Sequence, residues 1–272
     1  MAATNPRIVS ATMVAEGGIY EADDDHRSAG GPALSLSGCE GLDAILSVNV
    51  FGGLAGVSPD AIAEAEPADL LVMSGSPSFY EALADDPAAK TAALATIDTA
   101  LTTAVGADKE KLLVLAATIE IRSTPAVDLI DNVGGVLESL MGGGDAASEE
   151  IDPEDLMADL VPPAALESPE AFAVMYNALV NADTYYQSLG EDLGADAVYE
   201  SDVSAGDIAQ TALIAAVVVA IEPPATYTGT DAQYLYELIT DPDNTPAPDT
   251  FTMPDMETGY LANILAAANF AL

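Results

Sequence analysis

Residues 112–121, LLVLAATIEI, are apolar at every position except Thr118 and Glu120. The charged triplet KEK at 109–111 comes directly before them. A helix that is apolar around its whole circumference is buried inside a fold. The stretch therefore predicts a central helix.

Segments on both sides of this stretch repeat apolar residues at steps of three and four, the spacing of an amphipathic helix. The alternation of every second residue that marks a half-buried strand is scarce. The apolar stripes consist of Ala93, Ile97, Leu101 and Ala104; of Ile130, Val133, Leu137, Leu140 and Met141; and of Phe172, Met175, Tyr176, Leu179 and Val180.

Helix starts recur along the chain in one form, a capping Ser or Asp followed by Pro. Proline suits the first helical position because the missing N–H has no partner there in any case. With the apolar stripes, these starts predict an all-α fold, a helical bundle or an irregular helical array with Pro- and Gly-rich loops. The starts are Ser58-Pro59, Ser76-Pro77, Asp86-Pro87, Asp152-Pro153 and Ser168-Pro169.

Changes in composition divide the chain into four parts. Residues 1–38 lack periodicity and read as a disordered leader or a degenerate signal region. Residues 39–141 and 169–272 form the predicted N-terminal and C-terminal helical halves. Residues 142–168, which are acidic and rich in Gly and Pro, form the predicted linker between them. A second stretch without periodicity, 241–258, holds four prolines and is expected to be a long loop.

The charge of the chain is extreme, with 45 Asp and Glu against 6 Lys and Arg and a formal net charge of −39. Binding to nucleic acid requires clusters of Lys and Arg to contact phosphates, and these are absent, so no nucleic-acid partner is expected. The same field disfavours anionic membrane surfaces. An acidic, solvated surface is typical of a protein from a salt-adapted or marine prokaryote.

Few residues could carry nucleophilic or zinc chemistry. Cys39 and His26 are the only cysteine and histidine, and no second histidine could act as a base. The same scarcity rules out a His- and Cys-rich zinc site. Ser74 and Ser76 lack the Gly-x-Ser-x-Gly turn of a nucleophile elbow and are expected in a loop and helix cap. No catalytic residue and no cofactor are assigned.

Oxygen ligands for calcium are abundant, but neither candidate stretch is complete. One begins like a calcium loop at Asp241, Asp243 and Asn244, yet it lacks the glycine at position six and the glutamate at position twelve. It is predicted to be a turn, and a metal site remains open. The other is a looser acidic cluster of Asp145, Glu149, Glu150, Asp152 and Glu154.

Residues 36–39, LSGC, match the box in which bacterial lipoproteins are cut before a lipidated cysteine. A working signal also needs an apolar stretch of about 7–15 residues before the box. The segment DDDHRSAGG occupies that place, so lipidation requires a start other than this leader. The longest apolar run, 208–221, is shorter than a membrane span and is predicted to be a buried helix. We expect Cys39 to be lipidated and the protein to lie at the cell envelope or in the periplasm.

Residues 36–141 resemble helical bacterial envelope lipoproteins, including the tetratricopeptide-like lipoproteins associated with transporters. The resemblance rests on LSGC, on the apolar stretch after it and on SFYEALADDPAAKTAALATIDTAL at 78–101. The 34-residue repeat of the tetratricopeptide pattern is not present. The resemblance implies an envelope-anchored binding or scaffold protein and maps no ligand residues.

The sequence thus favours a non-enzymatic, envelope-associated helical binding or scaffold protein, with a protein or small-molecule partner unidentified. One alternative is an enzyme that uses carboxylates, or a calcium-binding protein. Another is a cytoplasmic halophilic protein whose LSGC arose by chance. A pocket that joins two or more buried acids would favour the enzyme, whereas a smooth concave helical surface would favour binding.

The net charge of −39 predicts a fold that is more stable in molar KCl than in dilute buffer. Carboxylates repel one another within a compact body, and salt screens that repulsion. We expect the melting temperature to rise by several degrees across a KCl series monitored by circular dichroism. A flat or falling series would contradict the prediction.

Overall fold

The computed structural model of this protein describes residues 57–141, 160–194, 198–247 and 254–269. Every regular element within these ranges is a helix and none is a strand, which confirms the predicted all-α fold. None of these helices is both long and apolar enough to span a membrane.

Ten α-helices and one 3-10 helix make up the described residues. In chain order they are α1 (Pro59–Ala63), α2 (Pro67–Met73), α3 (Pro77–Asp85), α4 (Pro87–Leu101), α5 (Gly106–Arg122), α6 (Ala126–Met141), the 3-10 helix Pro163–Leu166, α7 (Pro169–Leu193), α8 (Ala205–Val219), α9 (Asp231–Thr240) and α10 (Gly259–Ala267).

The Ser/Asp-Pro starts lie where the sequence predicts them. The Ser58 side chain accepts a hydrogen bond from the Ala61 amide, and Asp86 and Ser168 cap α4 and α7 in the same way. Ser76 precedes α3, but its hydroxyl is hydrogen-bonded to that of Ser78 at 2.8 Å instead of capping the helix. The start at Asp152-Pro153 lies outside the described residues.

Helix α5 is the central helix that residues 112–121 predict, and all ten of these side chains are buried. Its two faces belong to different core clusters. Leu112, Leu115, Ala116 and Ile119 pack with α1–α4 in the smaller cluster. The other face packs in the larger cluster with α6, the 3-10 helix and α7–α10, through Leu113, Val114, Ala117 and Ile121.

The larger cluster includes residues from both sides of the predicted 142–168 linker. At the described end of that segment, Val161 and Ala165 are buried in this cluster. The part at 142–159 lies outside the described residues, and the division into two halves stays a prediction. The apolar run at 208–221 falls mainly in α8, where Ile208, Ala209 and Ala212 are buried.

Helix α7 lies antiparallel to α5, because Lys109 of α5 pairs with Asp192 of α7 whereas Glu120 accepts a hydrogen bond from Asn181. Helices α8, α9 and α10 also pack on α7. The 25-residue α7 is therefore the second long element of the larger core.

The closest backbone approach between two helices joins α7 to α10 among the glycines of the described chain. A Cβ on Gly190 would lie 2.3 Å from the carbonyl oxygen of Tyr260. Asn263 donates to the Gly190 carbonyl at 2.8 Å, and Leu261 and Ile264 are buried beside it. Glycine at 190 lets α10 seat its apolar face on α7.

We expect Gly190→Ala to lower the free energy of unfolding by about 1–3 kcal/mol, the usual cost of overpacking a core. The added methyl would meet backbone, which cannot turn aside as a side chain can. The matched control is Gly206→Ala in the first turn of α8, where a Cβ meets nothing within 4 Å. That change should leave stability equal or raise it by up to about 1 kcal/mol.

Urea denaturation of both variants and the parent measures the two effects. Equal stability of Gly190→Ala and the parent would mean that α10 can shift on α7 at no cost.

Candidate functional site

Several residues singled out from sequence lie outside the described ranges, namely Cys39, His26 and the acidic cluster at 145–154. The stretch that begins like a calcium loop is described and forms an exposed turn. Its Asn244 amide donates to Asp241 Oδ1 at 2.7 Å, so this carboxylate is engaged within the turn. Across the described part of the chain, no group of three or more His, Cys, Asp or Glu is arranged to hold a metal ion.

The MSGSP segment lies between two helices, as predicted. Ser74 follows the last residue of α2, is buried and donates its hydroxyl hydrogen to the Leu71 carbonyl at 2.9 Å. Ser76 directly precedes α3. Since Ser74 and Ser76 serve local helix ends and neither contacts a histidine, they have the geometry of caps.

Three acidic side chains in the described ranges are buried, and none was selected from sequence: Glu110, Glu120 and Asp183. A buried carboxylate is costly unless it is paired and hydrogen-bonded. The partners of each one therefore show its role.

Glu120 connects three helices. Its Oε2 lies 2.7 Å from Lys90 Nζ of α4, and its Oε1 accepts a hydrogen bond from Asn181 of α7 at 3.2 Å. The Glu120 and Lys90 side chains are 8% and 17% exposed, so water screens this pair weakly. Both carboxylate oxygens are used.

A second bridge joins α4 to α7 beside the first. The Tyr185 hydroxyl of α7 donates to Asp98 Oδ1 of α4 at 3.0 Å. Burial raises the pKa of Tyr185, and the hydrogen bond to Asp98 and the negative charges of Asp98 and Glu120 raise it further. Tyr185 thus stays protonated and keeps donating well above neutral pH.

Glu110 fastens a loop to the first turns of α5. Its two carboxylate oxygens accept the backbone amides of Glu200 and Ser201 at 2.9 and 2.8 Å. On either side of it, Lys109 pairs with Asp192 and Lys111 pairs with Asp202. These three contacts hold the end of α7 and the segment before α8 against α5.

Asp183, the third buried acid, holds α10 on α7. It accepts the Tyr260 hydroxyl at 2.5 Å and the Gln187 amide at 2.7 Å. Burial is the main cause that raises the pKa of Tyr260, and the hydrogen bond to Asp183 adds to it. This donor also keeps its proton at neutral pH.

The cations of the described chain all lie on α5 or face it. The sequence has 6 Lys and Arg, of which Arg7 and Arg27 lie outside the described residues, leaving four. Lys109, Lys111 and Arg122 belong to α5, and the fourth, Lys90, pairs with Glu120 of α5. The guanidinium carbon of Arg122 lies 4.8 Å from the centre of the Tyr80 ring of α3, within the range of a cation–π contact.

A small cavity lies between α5, α6, α7 and α8. Its volume of about 10 Å³ is near the minimum for one water molecule. None of the buried acids lines it, so it does not join two carboxylates in the way that a carboxylate-based active site would require. The lining residues are Thr118, Ile121, Arg122, Val127, Ile130, Tyr186 and Thr211.

Together these contacts form a set of polar clamps on α5 and α7. Each of the three buried carboxylates accepts from a different helix or loop, and that use leaves it poorly placed for proton transfer to a substrate. Glu120 could be noticed in sequence as the one acid within the apolar run 112–121. The partners of Glu110 and Asp183 have no such local signal.

We expect Lys90→Met to lower the free energy of unfolding by about 3 kcal/mol, because it leaves the Glu120 carboxylate buried without its counter-charge. The matched control is Lys111→Met, which breaks a pair with Asp202, a side chain that is 85% exposed. Exposed pairs contribute little, so this control should change stability little or not at all.

Equilibrium denaturation at neutral pH and constant salt compares the two variants. Equal losses for both would show that burial does not distinguish the Glu120 pair from a surface pair.

No protein-family model matches this chain. Neither a curated protein nor a solved structure is significantly similar to it.

Proposed function

We propose that this protein is a non-enzymatic helical scaffold or binding protein of a salt-adapted prokaryote, held at the cell envelope by a lipid on Cys39. The observation that carries the scaffold part is the use of the buried acids. Glu110, Glu120 and Asp183 spend their oxygens on contacts between elements. Such contacts fix the relative positions of helices and free no carboxylate for chemistry.

The salt-adapted part rests on the distribution of charge. The 6 basic residues cannot neutralise 45 acids, and the four described cations are already engaged at α5. The remaining carboxylates must be compensated by ions from solution. A surface of this kind suits concentrated salt, where screening extends over only about 3 Å.

The envelope part rests on LSGC at 36–39 and on the change of composition that follows it. Lipidation of a processed N-terminal cysteine supplies more than one acyl chain, and two chains are enough for stable anchoring. No spanning helix is needed. The helical body would then stand at the membrane surface, with its acidic exterior facing the solution.

The anchor predicts that the mature natural protein begins at Cys39, carries a lipid and sediments with the membranes. Cys39→Ala should move it to the soluble fraction, whereas Ser35→Ala, outside the LSGC box, should leave it with the membranes. Intact mass and N-terminal peptides from a halophilic host measure the processing.

Peptides from residues 4–27 in the natural protein would show that the leader is retained. Cys39 would then be an ordinary cysteine, and the alternative of a cytoplasmic protein without an anchor would replace this one.

A further inference from the structure

The exposed side of α7 carries no charge over most of its length, in a chain whose net charge is −39. Asp183 is the single charged residue between 171 and 190, and it is buried and hydrogen-bonded. The exposed residues at helical spacing here are Val174, Asn177 and Thr184. The longest described helix thus presents amides, hydroxyls and one valine to solvent.

Helix α4 has a similar exposed side. Thr91, Ala95 and Thr102 are exposed, and the two threonine hydroxyls donate to carbonyls of their own helix, Pro87 and Thr99. Their hydrogen-bonding protons are therefore turned inward. The charges of α4 are few: Lys90 is paired with Glu120, and Asp98 accepts the Tyr185 hydroxyl.

These two sides lie next to each other. Helix α4 reaches α5 through the short connection 102–105, so the two helices run antiparallel, and α7 is antiparallel to α5 as well. Helices α4 and α7 therefore run in the same direction over α5. They are joined by the bridges Lys90–Glu120–Asn181 and Asp98–Tyr185. We name the surface formed by Thr91, Ala95, Thr102, Val174, Asn177 and Thr184 the α4–α7 face.

We propose that the α4–α7 face binds a second copy of this chain, which makes the protein a symmetric dimer. Two bodies of charge −39 repel wherever carboxylates meet. Salt screens the charges that are far from a contact but not those pressed together inside it. A face that joins two copies must therefore be poor in carboxylates, and the α4–α7 face is.

The chemistry of the face also favours a copy over another partner. A basic protein would find no counter-charge here and would bind the acidic surfaces instead. An amide such as that of Asn177 carries both donors and an acceptor, so it can pair with its own kind across a two-fold axis. The proposal is independent of the anchor at Cys39.

Sedimentation velocity of the full chain in molar KCl tests the dimer, and Asn177→Asp with Thr184→Glu tests the face. Like charges placed opposite one another are costly, so this double variant should raise the Kd of the dimer by about tenfold or more. The matched control adds the same two charges elsewhere, as Val72→Glu with Val198→Glu at positions that are 63% and 70% exposed. The control should dimerise like the parent.

A charge-reversed partner, Asn177→Lys with Thr184→Lys, completes the test. Mixed with the acidic double variant, it should form a heterodimer tighter than either homodimer. Far-ultraviolet circular dichroism confirms that each variant is folded. A parent that stays monomeric at all protein and salt concentrations would overturn the proposal, as would a dimer that the face variants leave unchanged or that the control variant abolishes.

Discussion

The ion pair between Lys90 and Glu120 is the constraint on which the arrangement of the long helices depends. Glu120 lies in an otherwise apolar helix that is buried on all sides, so its charge must be met by side chains from neighbouring helices. Lys90 supplies the counter-charge from α4 and Asn181 supplies a donor from α7. Because both must reach one carboxylate, the register of α4 and α7 along α5 is fixed at that point. Hydrophobic packing alone would tolerate a slide of one turn.

Two kinds of contact hold the remaining elements, and both start from α5 or α7. Glu110 holds backbone amides of the loop before α8, and Asp183 with Gly190 holds α10. The sparse positive charges are concentrated at the one helix that both core clusters share. A chain with so few cations gains most from them where water screens least, and the half-buried surroundings of α5 are such a place.

The all-α fold and the central helix could be predicted from sequence because their causes are local. The apolar run at 112–121 and the capping residues Ser58, Asp86 and Ser168 act within four positions of themselves. The clamps could not be predicted, since Glu110 meets an amide 90 residues away and Asp183 meets a hydroxyl 77 residues away. With 45 acids in the chain, sequence alone offers no rule for choosing these three. Gly190 was missed for the same reason, because only the approach of Tyr260 explains why that position lacks a side chain.

The placement of the cations has a consequence for how the protein meets a protease. Trypsin cuts after Lys and Arg, and in the described chain these residues are Lys90 of α4 and Lys109, Lys111 and Arg122 of α5. A protease needs an extended segment, so each of these bonds is protected for as long as its helix stays folded. The acidic loops, which would be the first targets in an ordinary protein, offer trypsin nothing between residues 160 and 247. The rate of tryptic cleavage is thus a direct readout of how often the centre of the molecule opens.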